Sequence, residues 1–159
     1  MMQTTLRQKA TFEGVGLHKG APVRLTIHPS PADAGIWFSR EDITDRDNKV
    51  AAVWSNVDRT PLCTRLENAA GTTVSTVEHL MAALAGVGIQ NAYIEIDGPE
   101  VPILDGSSAE FVTGLLEAGL QTLDTPLEVI RILKPVEVRD EDRTARLEPH
   151  PVPDMVFHI

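Results

Sequence analysis

Apolar and polar residues alternate along the first hundred positions in short runs, the period of strands rather than of helices. In "APVRLTIHP" Val23, Leu25 and Ile27 fall on one face and Arg24, Thr26 and His28 on the other. Before it, "LRQKATFEG" reads as a strand ending at a glycine, and "GVGLHKG" has the composition of a turn. After it, "AGIWFSRE" predicts a partner strand across the loop "SPAD". The segment "DITDRDNKV" is polar and turn-rich, and "TPLCTRLEN" and "GTTVSTVEH" follow as further short strands. "NAYIEIDGPE" is a strand with Ala92, Ile94 and Ile96 on one face, stopped by Gly-Pro. The period switches to that of a helix in "STVEHLMAALAG" and again in "SSAEFVTGLLEAGL". The second helix carries an apolar patch of Phe111, Leu115 and Leu116, with Ser107 or Ser108 to cap it and Gly119 to end it. Strands before and after helices, without regular βαβ spacing, predict an α+β two-layer sandwich rather than a doubly wound sheet.

A boundary falls near "LDTPLE", which divides the chain into a first α+β domain at 1–126 and the start of a second, similar one at 127–159. Beyond it, "LEVIRILKPVEVRD", "RTARLEP" and "DMVFHI" are strand-like runs around a charged hairpin turn, "RDEDR". "VRLTIHPSP" from Val23 and "ARLEPHPVP" from Ala145 share the pattern R-L-x-x-H-P-x-P, which points to a duplicated fold whose second copy begins near residue 127. The last run ends at Ile159 inside a strand with apolar residues unpaired, so the chain is expected to be the N-terminal part of a longer protein.

Composition narrows the function classes. With 14 Lys+Arg against 23 Asp+Glu, the net charge is −9, which argues against binding nucleic acid through basic clusters. Apolar residues at 42% and charged residues at 23% describe ordinary globular material. A single cysteine, Cys63, excludes an internal disulfide and a four-cysteine zinc site. The N-terminus lacks the apolar core of a signal peptide, and "LMAALAGVGI" is far shorter than the roughly 20 residues that span a bilayer. A cytoplasmic location is expected.

"STVEHL" admits two readings. As structure, Ser75 and Glu78 match the S-x-x-E capping box, with Glu78 reaching back to the amide of Ser75. As chemistry, the neighbouring His79 is the wrong charge for a helix N-terminus, so a neutral imidazole is expected there. A neutral histidine binds zinc, and a carboxylate beside it takes a proton from metal-bound water. Asp105 in "DGSS" is equally a turn followed by a helix cap. His18 in "EGVGLHKG" sits in a hairpin turn that lacks the spacing of a phosphate loop. Cys63 reads as a small core residue. His28, His150 and His158 have no partner at metal-ligand spacing and read as surface or strand histidines.

Taken together, "GVGLH", "LCT", "STVEHLMAALAGVGIQN", "E-x-P-I-x-DGSS" and "F-V-x-x-L-x-x-AG-L" resemble the UDP-3-O-acyl-N-acetylglucosamine deacetylase family of lipid A synthesis. The blocks occur in the family's order over residues 6–120, and the match weakens towards 159. The resemblance implies a zinc hydrolase that removes the N-acetyl group of a UDP-linked 3-O-acyl-glucosamine and releases acetate. Its implied fold is two similar sandwiches of the ribosomal protein S5 domain 2-like kind, with the active site between them. His79 then matches a zinc ligand and Glu78 the catalytic base. Cys63 matches a residue beside the metal, Leu62 and Thr60 match positions near the substrate, and His18 and Asp105 match positions that affect activity. Arg143 stands about where members carry a lysine that contacts the nucleotide. The family completes its zinc site from an H-K-x-x-D block, and a further histidine acts as general acid; neither occurs by residue 159. Zinc is therefore the implied cofactor, but the site is expected to be incomplete and this chain inactive by itself. No obligate protein partner is implied for the full-length enzyme. The competing class is a non-catalytic domain that binds a nucleotide sugar or a partner chain.

Overall fold

The computed structural model describes residues 1–60 and 62–150. The chain divides into two compact units, Met1–Pro126 and Leu127–Ile159. The first unit carries strands β1 (Met2–Leu6), β2 (Ala10–Val15), β3 (Pro22–Pro29), β4 (Ile36–Arg40) and β5 (Lys49–Ala51). A turn of 3-10 helix and three short strands follow: β6 (Val57–Asp58), β7 (Arg65–Glu67) and β8 (Thr73–Ser75). Helix α1 (Glu78–Val87), strand β9 (Ala92–Ile96), helix α2 (Ala109–Ala118) and strand β10 (Leu120–Pro126) complete it. The class is α+β. No described helix is long and apolar enough to cross a membrane.

The main sheet has the order β2-β3-β9-β4-β5. The alternation in β3 and β9 sets its buried face: Leu25, Ile27, Ala92, Ile94 and Ile96 are fully buried. β9 runs antiparallel to β3, with Ile27 opposite Ile94, and parallel to β4, with Phe38 opposite Ile94. This corrects the expected pairing of "AGIWFSRE" with the strand before it. β9, the most uniformly apolar strand, takes the place between them and gives both its backbone edges a partner. A second sheet pairs β1 with β10, and a third has the order β6-β7-β8.

The helices close the core from their apolar stripes. α1 buries Leu80, Ala83 and Leu84, and ends on Gly88, whose φ of 81° only glycine adopts without strain. α2 buries Phe111, Leu115 and Ala118. Leu116, expected in that patch, is 56% exposed, because a contact stripe repeats at three and four residues and Ala118 completes the turn after Leu115. The two helices pack on each other, and α2 also packs on β2, where Phe12 and Phe111 lie 4.9 Å apart at 58°. Gly114 makes that approach possible: a Cβ there would lie 2.7 Å from the Phe12 ring.

The N-terminal strand is fastened by buried polar groups. Asn91 donates to Gln3 Oε1 at 2.9 Å and accepts the Gly35 N–H at 3.0 Å, while its carbonyl accepts the Thr5 hydroxyl at 2.7 Å. Arg40, nearly buried, forks onto Asp42 at 2.8 and 2.7 Å and donates to the Thr73 carbonyl at 2.5 Å, linking β4 to β8.

The second unit contains an antiparallel hairpin of β11 (Val136–Asp140) and β12 (Arg143–Leu147), with Asp140 opposite Arg143. Residues 127–135, expected to begin this strand-like run, form no strand. "DMVFHI" and the last three positions of the second R-L-x-x-H-P-x-P copy lie outside the described residues.

Candidate functional site

The start of α1 is built by strand pairing and one strained residue, not by a capping box. Ser75 is the last residue of β8; its N–H goes to the Pro99 carbonyl at 2.9 Å and its carbonyl accepts the Val101 N–H at 3.0 Å. With that amide already satisfied, Glu78 has no reason to reach back to it. The chain then turns through Thr76 at φ 58°, a region a β-branched residue enters only under strain. Val77 holds the N-cap position without a side-chain bond, and Glu78 opens the helix. The expected capping box is therefore corrected: the Glu78 Oε1 accepts the Thr64 N–H instead, tying α1 to the segment that carries Cys63.

His79 follows, half-buried. Its Nδ1 is buried without a hydrogen-bond partner among the described residues, and its carbonyl accepts the Ser108 hydroxyl at 2.9 Å. The N–H and hydroxyl of Ser107, at 2.9 Å, hold the Asp105 carboxyl below its ordinary value, with a smaller contribution from His79. The Ser107 Oγ also accepts the Ala109 N–H at 3.0 Å, so Ser107 meets an open amide of α2 and Ser108 is left for α1. Leu104, immediately before Asp105, has φ 51°. A strained residue thus stands just before each half of this group.

His18 lies in the turn after β2, and its partner is a residue that sequence reasoning passed over. Glu100 is 4% exposed. Its Oε1 lies 2.7 Å from His18 Nδ1 and accepts the Thr76 hydroxyl at 2.7 Å, and both its oxygens accept the His18 N–H at 3.1 Å. Burial pushes the Glu100 carboxyl up, but the bonds from the His18 ring, the Thr76 hydroxyl and the His18 and Lys19 amides outweigh it and hold the group below its ordinary value. Gly16 leaves room for this: a Cβ there would fall 2.4 Å from Glu100 Oε2. The sequence signal was an acid set in the otherwise apolar "PEVPIL", which reads as a solvated loop residue until its partners are seen.

A cleft of about 230 Å³ is lined by His18, Lys19, Thr60, Cys63, Arg65 and Glu100, among others. Thr60 Oγ1 donates to the Cys63 carbonyl and lies 3.8 Å from its Sγ. Leu62 is 79% exposed on the same segment. Within the first unit the expected site residues fall into three places. His18, Thr60 and Cys63 share the cleft; Glu78 is joined to it through Thr64; His79 is tied by its carbonyl to Ser108, in the turn that carries Asp105. Arg143 is exposed at the start of β12, in the second unit.

A catalytic zinc takes about three protein ligands and a water. Among the described residues no three His, Cys, Asp or Glu side chains are gathered as a metal set. His79 alone does not hold the ion, although its unpartnered Nδ1 is the kind of atom a ligand would satisfy.

Comparison with known proteins matches residues 3–159 to the family described as LpxC: UDP-3-O-acyl N-acetylglycosamine deacetylase. The chain is 47% identical over 159 residues to the UDP-3-O-acyl-N-acetylglucosamine deacetylase of Phenylobacterium zucineum, covering 100% of this chain and 54% of that protein. It is 48% identical over 147 residues to the Vibrio cholerae protein of that name, covering 92% and 48%. For the Idiomarina loihiensis protein the figures are 50% over 149 residues, covering 93% and 48%. The chain spans about half the length of the curated relatives it matches.

Proposed function

Because this chain belongs to the UDP-3-O-acyl-N-acetylglucosamine deacetylase family, we propose that its protein hydrolyses the N-acetyl group of a UDP-linked 3-O-acylated glucosamine, releasing acetate, in lipid A biosynthesis. The observation that carries this reading is the pair at the start of α1: a carboxylate fixed by one oxygen beside an imidazole whose buried Nδ1 has no partner among the described residues. The Thr64 N–H occupies Oε1 of Glu78 and leaves Oε2 to receive a proton. Water attacks the amide carbon, its proton passes to Glu78, the C–N bond breaks, and the proton leaves on the freed amine. General-base work of this kind is worth about 10²–10⁴ in rate.

Zinc is the proposed cofactor of the whole enzyme, with His79 as one ligand and the others outside the described residues. Thr60, Leu62, Cys63, His18 and Asp105 are proposed to lie near the substrate, and Arg143 near its nucleotide. We take residues 1–126 as one domain and 127–159 as the start of a second, each of the two-layer, ribosomal protein S5 domain 2-like kind. A cytoplasmic enzyme that needs no obligate protein partner completes the proposal.

The test is acetate release and zinc content of the protein expressed from its native gene, with Glu78→Gln beside it. A fall in rate of about 100-fold or more at unchanged zinc is expected. Equal rates for the two proteins would remove Glu78 from the chemistry. The short donor set favours one other reading, a non-catalytic domain for a nucleotide sugar. Binding of the UDP-sugar with no acetate release by the native protein would select it.

A further inference from the structure

Glu100 is buried where no apolar packing calls for a charge, and the donors that satisfy it come from the site rather than from the core. A carboxylate taken out of water is tolerated when its oxygens are filled, and here His18 fills them with a backbone N–H and a ring nitrogen and Thr76 with a hydroxyl. An ionised carboxylate has no proton to give. At 2.7 Å, the proton shared with a neutral His18 therefore belongs to Nδ1. The ring is left with its lone pair on Nε2, on a side chain that is 36% exposed and lines the cleft with Thr60 and Cys63. The same Oε1 holds Thr76 in its strained conformation, two residues before Glu78. Gly16 brings the turn of His18 so close that a Cβ would displace the carboxylate.

We propose that Glu100 is a positioning residue: it fixes His18 as the Nδ1–H tautomer, so that Nε2 is the acceptor nitrogen in the cleft, and it locks that turn to the corner from which Glu78 and His79 project. A carboxylate bonded to one ring nitrogen sets the tautomer and orientation of an imidazole, as it does for metal-bound histidines, where losing it costs about 10–100-fold in metal affinity or activity. The catalytic half of the proposal rests on the deacetylase reading; the tautomer does not.

The test has two arms. In the chain labelled with ¹⁵N-histidine, long-range ¹H–¹⁵N spectra at alkaline pH, where the imidazole is neutral, read the tautomer directly. His18 is expected as Nδ1–H in the wild type and mainly as Nε2–H in Glu100→Gln. Gly16→Ala, which crowds the carboxylate without removing it, is expected to shift His18 the same way. In the protein expressed from its native gene, Glu100→Gln is expected to lower kcat about 10–100-fold with KM within about twofold. An Nε2–H tautomer in the wild type overturns the proposal, and needs no variant to fold. So does a folded Glu100→Gln protein with unchanged kcat. A native protein without deacetylase activity overturns the proposed function instead, and the spectrum then decides the tautomer alone.

Discussion

Replacing Gly114 by alanine sets two terms of opposite sign against each other. In the middle of α2, alanine is favoured over glycine by about 1 kcal/mol of helix propensity. The new Cβ, however, would lie 2.7 Å from two carbons of the Phe12 ring, closer than unbonded carbons approach. The ring must move, and it is held by its tilted pairing with Phe111 at 4.9 Å. Overpacking of this kind costs about 1–3 kcal/mol, and loss of an aromatic pair about 0.5–1.5 kcal/mol. Phe12 is only half-buried and swings outward in part, which keeps the cost towards the lower ends. Gly114→Ala is therefore expected to destabilise the first unit by about 1–2 kcal/mol, seen as a fall in Tm of about 3–8 °C for a domain of this size. Thermal unfolding followed by circular dichroism measures it. The decisive comparison adds Phe12→Ala: with the ring gone the clash vanishes and the propensity term remains, so Gly114→Ala in that background should stabilise by up to about 1 kcal/mol. A Gly114→Ala protein more stable than the wild type would refute the reasoning, because it would mean that ring and helix are not in contact.

Asn91→Ala leaves the Gly35 N–H without its partner and frees one hold on Gln3; a cost of about 1–3 kcal/mol is expected, with amide exchange in β1 accelerating more than in β9. Phe38→Ala empties a fully buried site opposite Ile94 and should cost about 3–5 kcal/mol in denaturant unfolding. Because the Glu100 carboxyl titrates below its ordinary 4.5 in the folded chain, its contribution is complete above that value and is lost as pH falls through the folded one. The stability of Glu100→Gln measured from pH 7 down to pH 3 should therefore fall less steeply than that of the wild type. Arg40→Lys keeps the charge but loses the fork onto Asp42 and the reach to Thr73; detachment of β8 from β4, visible as faster exchange of the β8 amides, is the expected result.

What could be read from the sequence was local periodicity. Ala92, Ile94 and Ile96 alternate, so the buried face of β9 was legible, and the stripe of Phe111 and Leu115 marked α2. Partnership was not legible. Nothing in "AGIWFSRE" reveals that β9, some fifty residues later, comes between it and β3, since that pairing joins segments distant in sequence. The capping box failed for a related reason: the Ser75 amide is claimed by Pro99, a contact between distant segments. Glu78, His79, Cys63 and His18 were singled out because they recur in recognisable blocks. Glu100 opens the block "E-x-P-I-x-DGSS" yet was given no role, because one acid among prolines and valines gains its meaning only from the His18 turn folded over it.

The place of β9 also bears on how the chain assembles as it leaves the ribosome. The hairpins β2–β3 and β4–β5 are each complete after about fifty residues have emerged, yet neither can join the other until residue 96 is out. At about 5–20 residues per second, the inner edges of β3 and β4 remain open for a few seconds, while β6 to β8 and α1 are still being made. During that interval the nascent chain displays two unpaired strand edges, the kind of surface on which neighbouring chains aggregate. The strand that centres the sheet is thus also the one whose late arrival sets how long those edges stay open.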